Sequence, residues 1–215
     1  MSVSIVTTRP NDGVVNMQRK IAPYGEWRSP ITTDMIVAGS LAFSSPLLDN
    51  GYVYWLEGRP SDAGRNVIVR ARGRVATDIL APPYNARTRV HEYGGGACVA
   101  NHGVIHFSNF VDQGVYRLDP NGTERPCQLP TASSLRFAAY EPDAHRNRLI
   151  CIIEDHAVQA QQPVNVIGGI DLSSGSIDTL VAGNDFYASP CLSPNGTMLA
   201  WITWNHPNMP WDGCE

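Results

Sequence analysis

From Met35 onward the chain alternates short apolar runs with turn residues. Ile36-Val37-Ala38, Tyr52-Val53-Tyr54-Trp55-Leu56, Asn66-Val67-Ile68-Val69 and the run Val75 to Leu80 are each about strand length and rich in β-branched or aromatic residues. No window keeps an i, i+3, i+4, i+7 apolar stripe over ten or more residues, so the pattern predicts strands throughout. Residues 1–35, which hold Pro10, Pro23 and Pro30, carry no strong period and read as an N-terminal extension over the domain surface.

The strand pattern repeats at long range. Turn signals at Asp49-Asn50-Gly51, His102-Gly103, Arg146-Asn147-Arg148 and Ser193-Pro194-Asn195-Gly196 each precede an apolar run, and aligning Trp55, Phe107, Ile152 and Trp201 gives intervals of 52, 45 and 49 residues. A second series one strand later runs through Val67, Val115 and Ile170. A third, closing series runs over Val75 to Leu80, Thr123 to Leu129 and Ile177 to Val181. A repeat of about 50 residues made of four short strands is the pattern of β-propeller blades, whose sheets cover their apolar faces by stacking on one another. The expected fold is all-β: an incomplete β-propeller of about three and a half four-stranded blades over 36–215. The blades fall at about 36–80, 87–129 and 135–182, with a half-blade at 186–204. This count makes the chain read as the N-terminal part of something longer.

Composition narrows the function. Glycine (19) and proline (16) are frequent, as inter-strand turns require, and charged residues make up 17% against a usual ~25%. The net charge is −4 and the only lysine is Lys20, so no basic patch is expected and nucleic acid is not an expected partner. No run approaches the ~18 apolar residues of a membrane span, and Met1 to Pro10 lack the layout of a signal peptide, so a cytoplasmic location and no membrane partner are expected. The five cysteines, Cys98, Cys127, Cys151, Cys191 and Cys214, show no C-x-x-C spacing and read as buried free thiols.

Motifs for chemistry are sparse. There is no G-x-S-x-G nucleophile elbow and no H-E-x-x-H, and a phosphate-binding loop cannot form around the single lysine. His102 and His106 read as a turn residue and a strand residue; as a metal pair they would lack a third ligand nearby. No metal or cofactor is expected. Gly94-Gly95-Gly96 reads as an inner strand near a crowded propeller axis, in preference to an anion-binding loop. Arg89 and Glu92 beside it are candidates to line a central channel. Asp143, Glu154 and Asp155 read as solvated turn and edge charges, and Trp55, Trp201, Trp204 and Trp211 as blade packing.

Several stretches, in order, resemble one family. Ala22-Pro23-Tyr24-Gly25 with Trp27, Ser29-Pro30-Ile31-Thr32, Tyr54 to Pro60 and Gly64 to Arg70 look like the opening of prolyl oligopeptidase-family serine peptidases, in the acylaminoacyl-peptidase and dipeptidyl-aminopeptidase-like branch. Arg89-Val90-His91-Glu92-Tyr93-Gly94-Gly95-Gly96 is the most specific match. Arg136-Phe137-Ala138, Glu154-Asp155-His156, Leu192 to Gly196 and Trp204 to Asp212 follow. The resemblance implies a propeller joined to a C-terminal α/β-hydrolase domain that carries the Ser, Asp and His of catalysis, with the propeller restricting access to short peptides. None of that triad can be placed in this chain. Relatives often carry Asp where this chain has Ala139, and usually Thr near Cys214.

The expectation is therefore a non-catalytic propeller portion that gates short peptides toward a hydrolase domain, inactive by itself, with Arg89, Glu92, Tyr93 and Arg136 as channel candidates. Its expected partners are the remaining blades and the hydrolase domain, with self-association through open blade edges. The alternative is a stand-alone propeller-like binding or scaffold module; a metal-dependent lactonase-type propeller ranks last.

Overall fold

A computed structural model describes residues 21–215 except 27, 38, 122–124 and 159–161. The first twenty residues of the expected N-terminal extension, and Thr123 in the third strand series, lie outside the described residues. The chain divides into two units, 1–37 and 38–215. In the first, residues 33–37 form a short helix α1 (Thr33–Val37), where the apolar run Ile36-Val37 led us to expect a strand. The reason is local. The Thr32 hydroxyl accepts the Met35 N–H at 3.1 Å as an N-cap, and Asp34 sits in the first turn, where a negative charge favours the helix.

The second unit is a succession of antiparallel sheets. β1 (Ala42–Asp49), β2 (Tyr52–Arg59), β3 (Arg65–Arg72) and β4 (Val75–Asp78) form the first, in chain order. β5 (Cys98–Asn101), β6 (Val104–Ser108), β7 (Val115–Leu118) and β8 (Cys127–Gln128) form the second. β9 (Leu135–Asp143), β10 (Arg148–Asp155), β11 (Val164–Asp171) and β12 (Ile177–Val181) form the third. β13 (Phe186–Leu192) and β14 (Leu199–Trp204) pair alone. The architecture is all-β, with three four-stranded sheets of the kind that builds a partial β-propeller; none of the sheets closes into a barrel.

Each sheet buries a face against the next. Tyr54, Leu56 and Ile68 of the first sheet meet Ile105 and Phe107 of the second. Val99 and Val115 of the second meet Phe137, Leu149 and Ile170 of the third. Ala138, Ile150, Ile152 and Ile167 of the third meet Tyr187 of β13. Strands buried on both faces read as continuous apolar runs, which is why Leu149 to Ile153 is apolar without interruption.

A bulge recurs at the same place in three first strands. Ser45, Ala139 and Ser189 each take a positive φ (52°, 54° and 51°) at a register shift against β2, β10 and β14 respectively. Gly96, at φ 60°, precedes β5, and the Ala139 N–H donates to its carbonyl at 2.8 Å. Gly94-Gly95-Gly96 is thus a turn with φ values of 73°, 118° and 60°, and the expected inner strand begins only at Cys98. A side chain on Gly94 would place its Cβ 2.5 Å from the Thr88 carbonyl oxygen; this close approach selects glycine.

Candidate functional site

The loop between β4 and β5 carries Arg89, His91, Glu92 and Tyr93, and it is held by its neighbours. The Arg89 N–H donates to Gln113 Oε1 at 2.7 Å, and its guanidinium lies 4.4 Å from the Phe110 ring centre, a cation–π contact. The His91 N–H donates to Glu154 Oε1 at 2.7 Å. His91 and Glu92 both have positive φ, 54° and 63°, an uncommon conformation for residues with side chains. The bonds to Gln113 and Glu154 are what keep the loop there.

Glu154 and Arg136 are cross-strand partners on β10 and β9. Arg136 Nη1 donates to the Arg89 carbonyl at 3.2 Å and to Glu92 Oε1 at 3.1 Å, and lies 3.8 Å from Glu154 Oε2. The same Oε2 is 2.9 Å from His156 Nε2. Three of the four channel candidates, Arg89, Glu92 and Arg136, are therefore in direct contact. Tyr93 stands apart from that hydrogen-bonded set, 65% exposed, with its ring 5.8 Å from that of His91. Burial, then the Glu154 charge, raises the Tyr93 phenol above its usual range.

His91 completes an aromatic group from the last two strands. Its ring meets Phe186 and Trp204 edge-on at 5.5 and 5.6 Å, those two stack at 5.4 Å, and His206 meets Phe186 at 5.0 Å. Burial holds the His91 imidazole below its ordinary pKa against the pull of Glu154, and Nε2 has no hydrogen-bond partner among the described residues. The arrangement presents an exposed carboxylate, Glu92, and a phenol, Tyr93, on a rigidly latched loop beside aromatic rings. It has the polar and apolar groups to contact a peptide, and no nucleophile. Among the described residues no serine hydroxyl is hydrogen-bonded to a histidine, and no three His, Cys, Asp or Glu side chains group as metal ligands.

Glu154 is 2% exposed, not a solvated edge charge: β10 carries it under the loop, where a backbone N–H and two cationic or ionisable partners replace water. Asp143 is likewise buried, at 1%, rather than a solvated turn charge. Burial pushes its pKa up, but hydrogen bonds from Arg148 (2.9 Å) and Arg146 (3.0 Å) outweigh that and hold it below the usual carboxylate range. Asp155 is exposed as expected. His102 lies in a turn and His106 in β6. All five cysteines are free, but only Cys98 and Cys151 are buried; Cys127, Cys191 and Cys214 are exposed. Of the tryptophans Trp204 is buried, whereas Trp211 is 76% exposed.

No protein-family model and no curated protein sequence matches the chain. Solved structures do. A puromycin-hydrolyzing peptidase of Mycobacterium tuberculosis is 38% identical over 92% of this chain, with a TM-score of 0.79, and the match spans 33% of that protein. A puromycin hydrolase is 28% identical over 90% of this chain and 32% of its own length, also with a TM-score of 0.79. TolB from Acinetobacter baumannii, at 16% identity and a TM-score of 0.56 over 78% of the chain, shares the fold. The chain spans about a third of the length of the first two. It is homologous, over this propeller-like part, to serine peptidases of the prolyl oligopeptidase family.

Proposed function

We propose that this chain is the non-catalytic propeller portion of a prolyl oligopeptidase-like peptidase, and that it selects short peptides for a hydrolase domain supplied elsewhere in the protein. The observation that carries the reading is the latched loop 89–93. Its Glu92 and Tyr93 side chains are exposed while its backbone is pinned by Glu154, Arg136 and Gln113. A contact surface held this firmly loses little conformational freedom when a substrate meets it. Arg89, Glu92, Tyr93 and Arg136 line the path of the peptide in this reading. The chain by itself turns over no substrate.

The test joins this chain to the hydrolase portion of the Mycobacterium tuberculosis puromycin-hydrolyzing peptidase in place of the matching third. Glu92→Gln with Arg136→Met should change kcat/KM for dipeptide substrates by tenfold or more while leaving labelling of the active serine by a fluorophosphonate unchanged. Equal kcat/KM values would remove these residues from substrate selection. Fluorophosphonate labelling of the present chain alone would overturn the non-catalytic assignment.

A further inference from the structure

Tyr54 carries a polar atom that the core leaves unsatisfied. Its ring is packed between the first and second sheets with Leu56, Ile68, Ile105 and Phe107, and the residue is 1% exposed. Its hydroxyl is buried and has no hydrogen-bond partner among the described residues. A polar atom left this way in a native core calls for an explanation such as a water, an ion or a ligand. The charged and ionisable groups beside the hydroxyl are Arg70, which is the cross-strand partner of Tyr54 on β3, then Asp49 and Tyr52.

Two arginines converge on the same place. The guanidinium carbons of Arg70 and Arg72 lie 4.6 and 5.4 Å from the centre of the Tyr52 ring, which is itself 6.2 Å from the centre of the Tyr54 ring. Among the described residues the arginines paired with a carboxylate are Arg59, Arg65, Arg136, Arg146 and Arg148, and neither Arg70 nor Arg72 is one of them. Arg74, in the turn after β3, adds a third positive charge within five residues, a local concentration that the net charge of −4 did not predict. The acceptors at hand are taken. Asn121 Oδ1 accepts from Arg70 Nη1 at 3.0 Å, and the two Asp49 oxygens accept the His102 and Gly103 N–H groups at 3.0 and 2.6 Å. A phenol O–H and two guanidiniums remain as donors facing no acceptor. Two like charges on one ring also repel, and an anion between them removes that repulsion.

We propose that Tyr54, Arg70 and Arg72 form a binding site for one phosphate group, either inorganic phosphate or the end of a phosphate monoester. Three separate side chains offer donors to one anion. A planar carboxylate is matched by a single guanidinium fork, whereas the tetrahedral oxygens of phosphate take donors from several directions at once. The core fixes the Tyr54 ring, so its O–H is held in place before the anion arrives. The site lies at the end of the first sheet that carries the turns 50–51 and 73–74. β4 runs away from that end before the loop with Arg89 begins, so the inference does not rest on the gating role.

The experiment titrates the full chain, in phosphate-free buffer, with inorganic phosphate and follows the Arg70 and Arg72 side-chain N–H resonances by NMR. Both should shift saturably. Tyr54→Phe should weaken phosphate binding at least tenfold. Because it deletes a hydroxyl that has no partner, it should not lower the urea midpoint without phosphate. Arg72→Gln, at the exposed end of β3, should weaken binding at least fivefold and tests the site without touching the core. Glycerol 1-phosphate separates the two sources: tighter binding than phosphate supports a monoester, weaker binding supports the free ion. The proposal would be overturned by the absence of saturable shifts, by equal affinity in the parent chain and both variants, or by acetate binding as tightly as phosphate.

Discussion

His106 on β6 is 4% exposed, and neither ring nitrogen has a hydrogen-bond partner among the described residues. Burial, reinforced by the Arg117 charge, lowers its pKa to about 4. An unfolded chain would protonate this histidine near pH 6.5, so stability is full above that value and falls as the pH drops toward 4. Urea denaturation should show a loss of up to roughly 3 kcal/mol across this window, and His106→Leu should flatten that part of the profile. A profile unchanged by the substitution would assign the acid sensitivity elsewhere. The lone histidine in Val104-Ile105-His106-Phe107 is visible in the sequence. Its isolation is not, because the residues beside it come from other strands, Val99 of β5 and Arg117 of β7. Glu154 shows the same limit in reverse: beside Asp155 it reads as an edge charge, yet its partners His91 and Arg136 are 63 and 18 positions away.

At the scale of elements, strands and their repeat were legible because burial on both faces imposes long apolar runs separated by turn residues. The Ile36-Val37 run was misleading because a threonine cap three residues upstream of Met35 outweighed β-propensity in a segment where Met35 and Ile36 are exposed. Gly94 to Gly96 was misplaced for a different reason. A run of glycines permits both an extended strand and a left-handed turn, and the contact that decides is with another sheet: a Cβ on Gly96 would lie 2.8 Å from the Ala139 nitrogen. Gly96→Ala should therefore cost about 1–3 kcal/mol through strained φ and that clash, measured by thermal or urea unfolding. The penalty should exceed that of Gly73→Ala, where φ is also positive but a Cβ meets nothing within 4 Å. Equal penalties would show that the approach to Ala139 is not tight.

Across the whole molecule the sheets are joined by latches at their turns as well as by apolar faces. Asp49 accepts the His102 and Gly103 N–H groups at 3.0 and 2.6 Å, and Arg146, held by Asp143, donates to the Gly196 carbonyl at 2.9 Å. Removing Asp143 leaves two arginines without their shared carboxylate. Asp143→Ala should destabilise by about 3 kcal/mol or more and should raise hydrogen exchange in β13 and β14 before it does so in β2 or β3. Uniform loosening would mean that this latch does not hold the last two strands. The first sheet has its own closure on the face away from β6: Trp55 and Arg59 bond to Glu57, and Arg59 also bonds to Asp78. That network raises the Arg59 pKa, chiefly through Asp78.

The local signals were enough for strand content, the spacing of the repeat and the absence of a nucleophile elbow, since each depends on residues within about five positions of one another or on a period along one chain. Which carboxylates are buried, where the triple glycine turns and which of the channel candidates touch was decided only by the packing of successive sheets. That packing sets residues some 20 to 60 positions apart side by side, and the free energy of a charge or a glycine depends on those neighbours more than on its own segment.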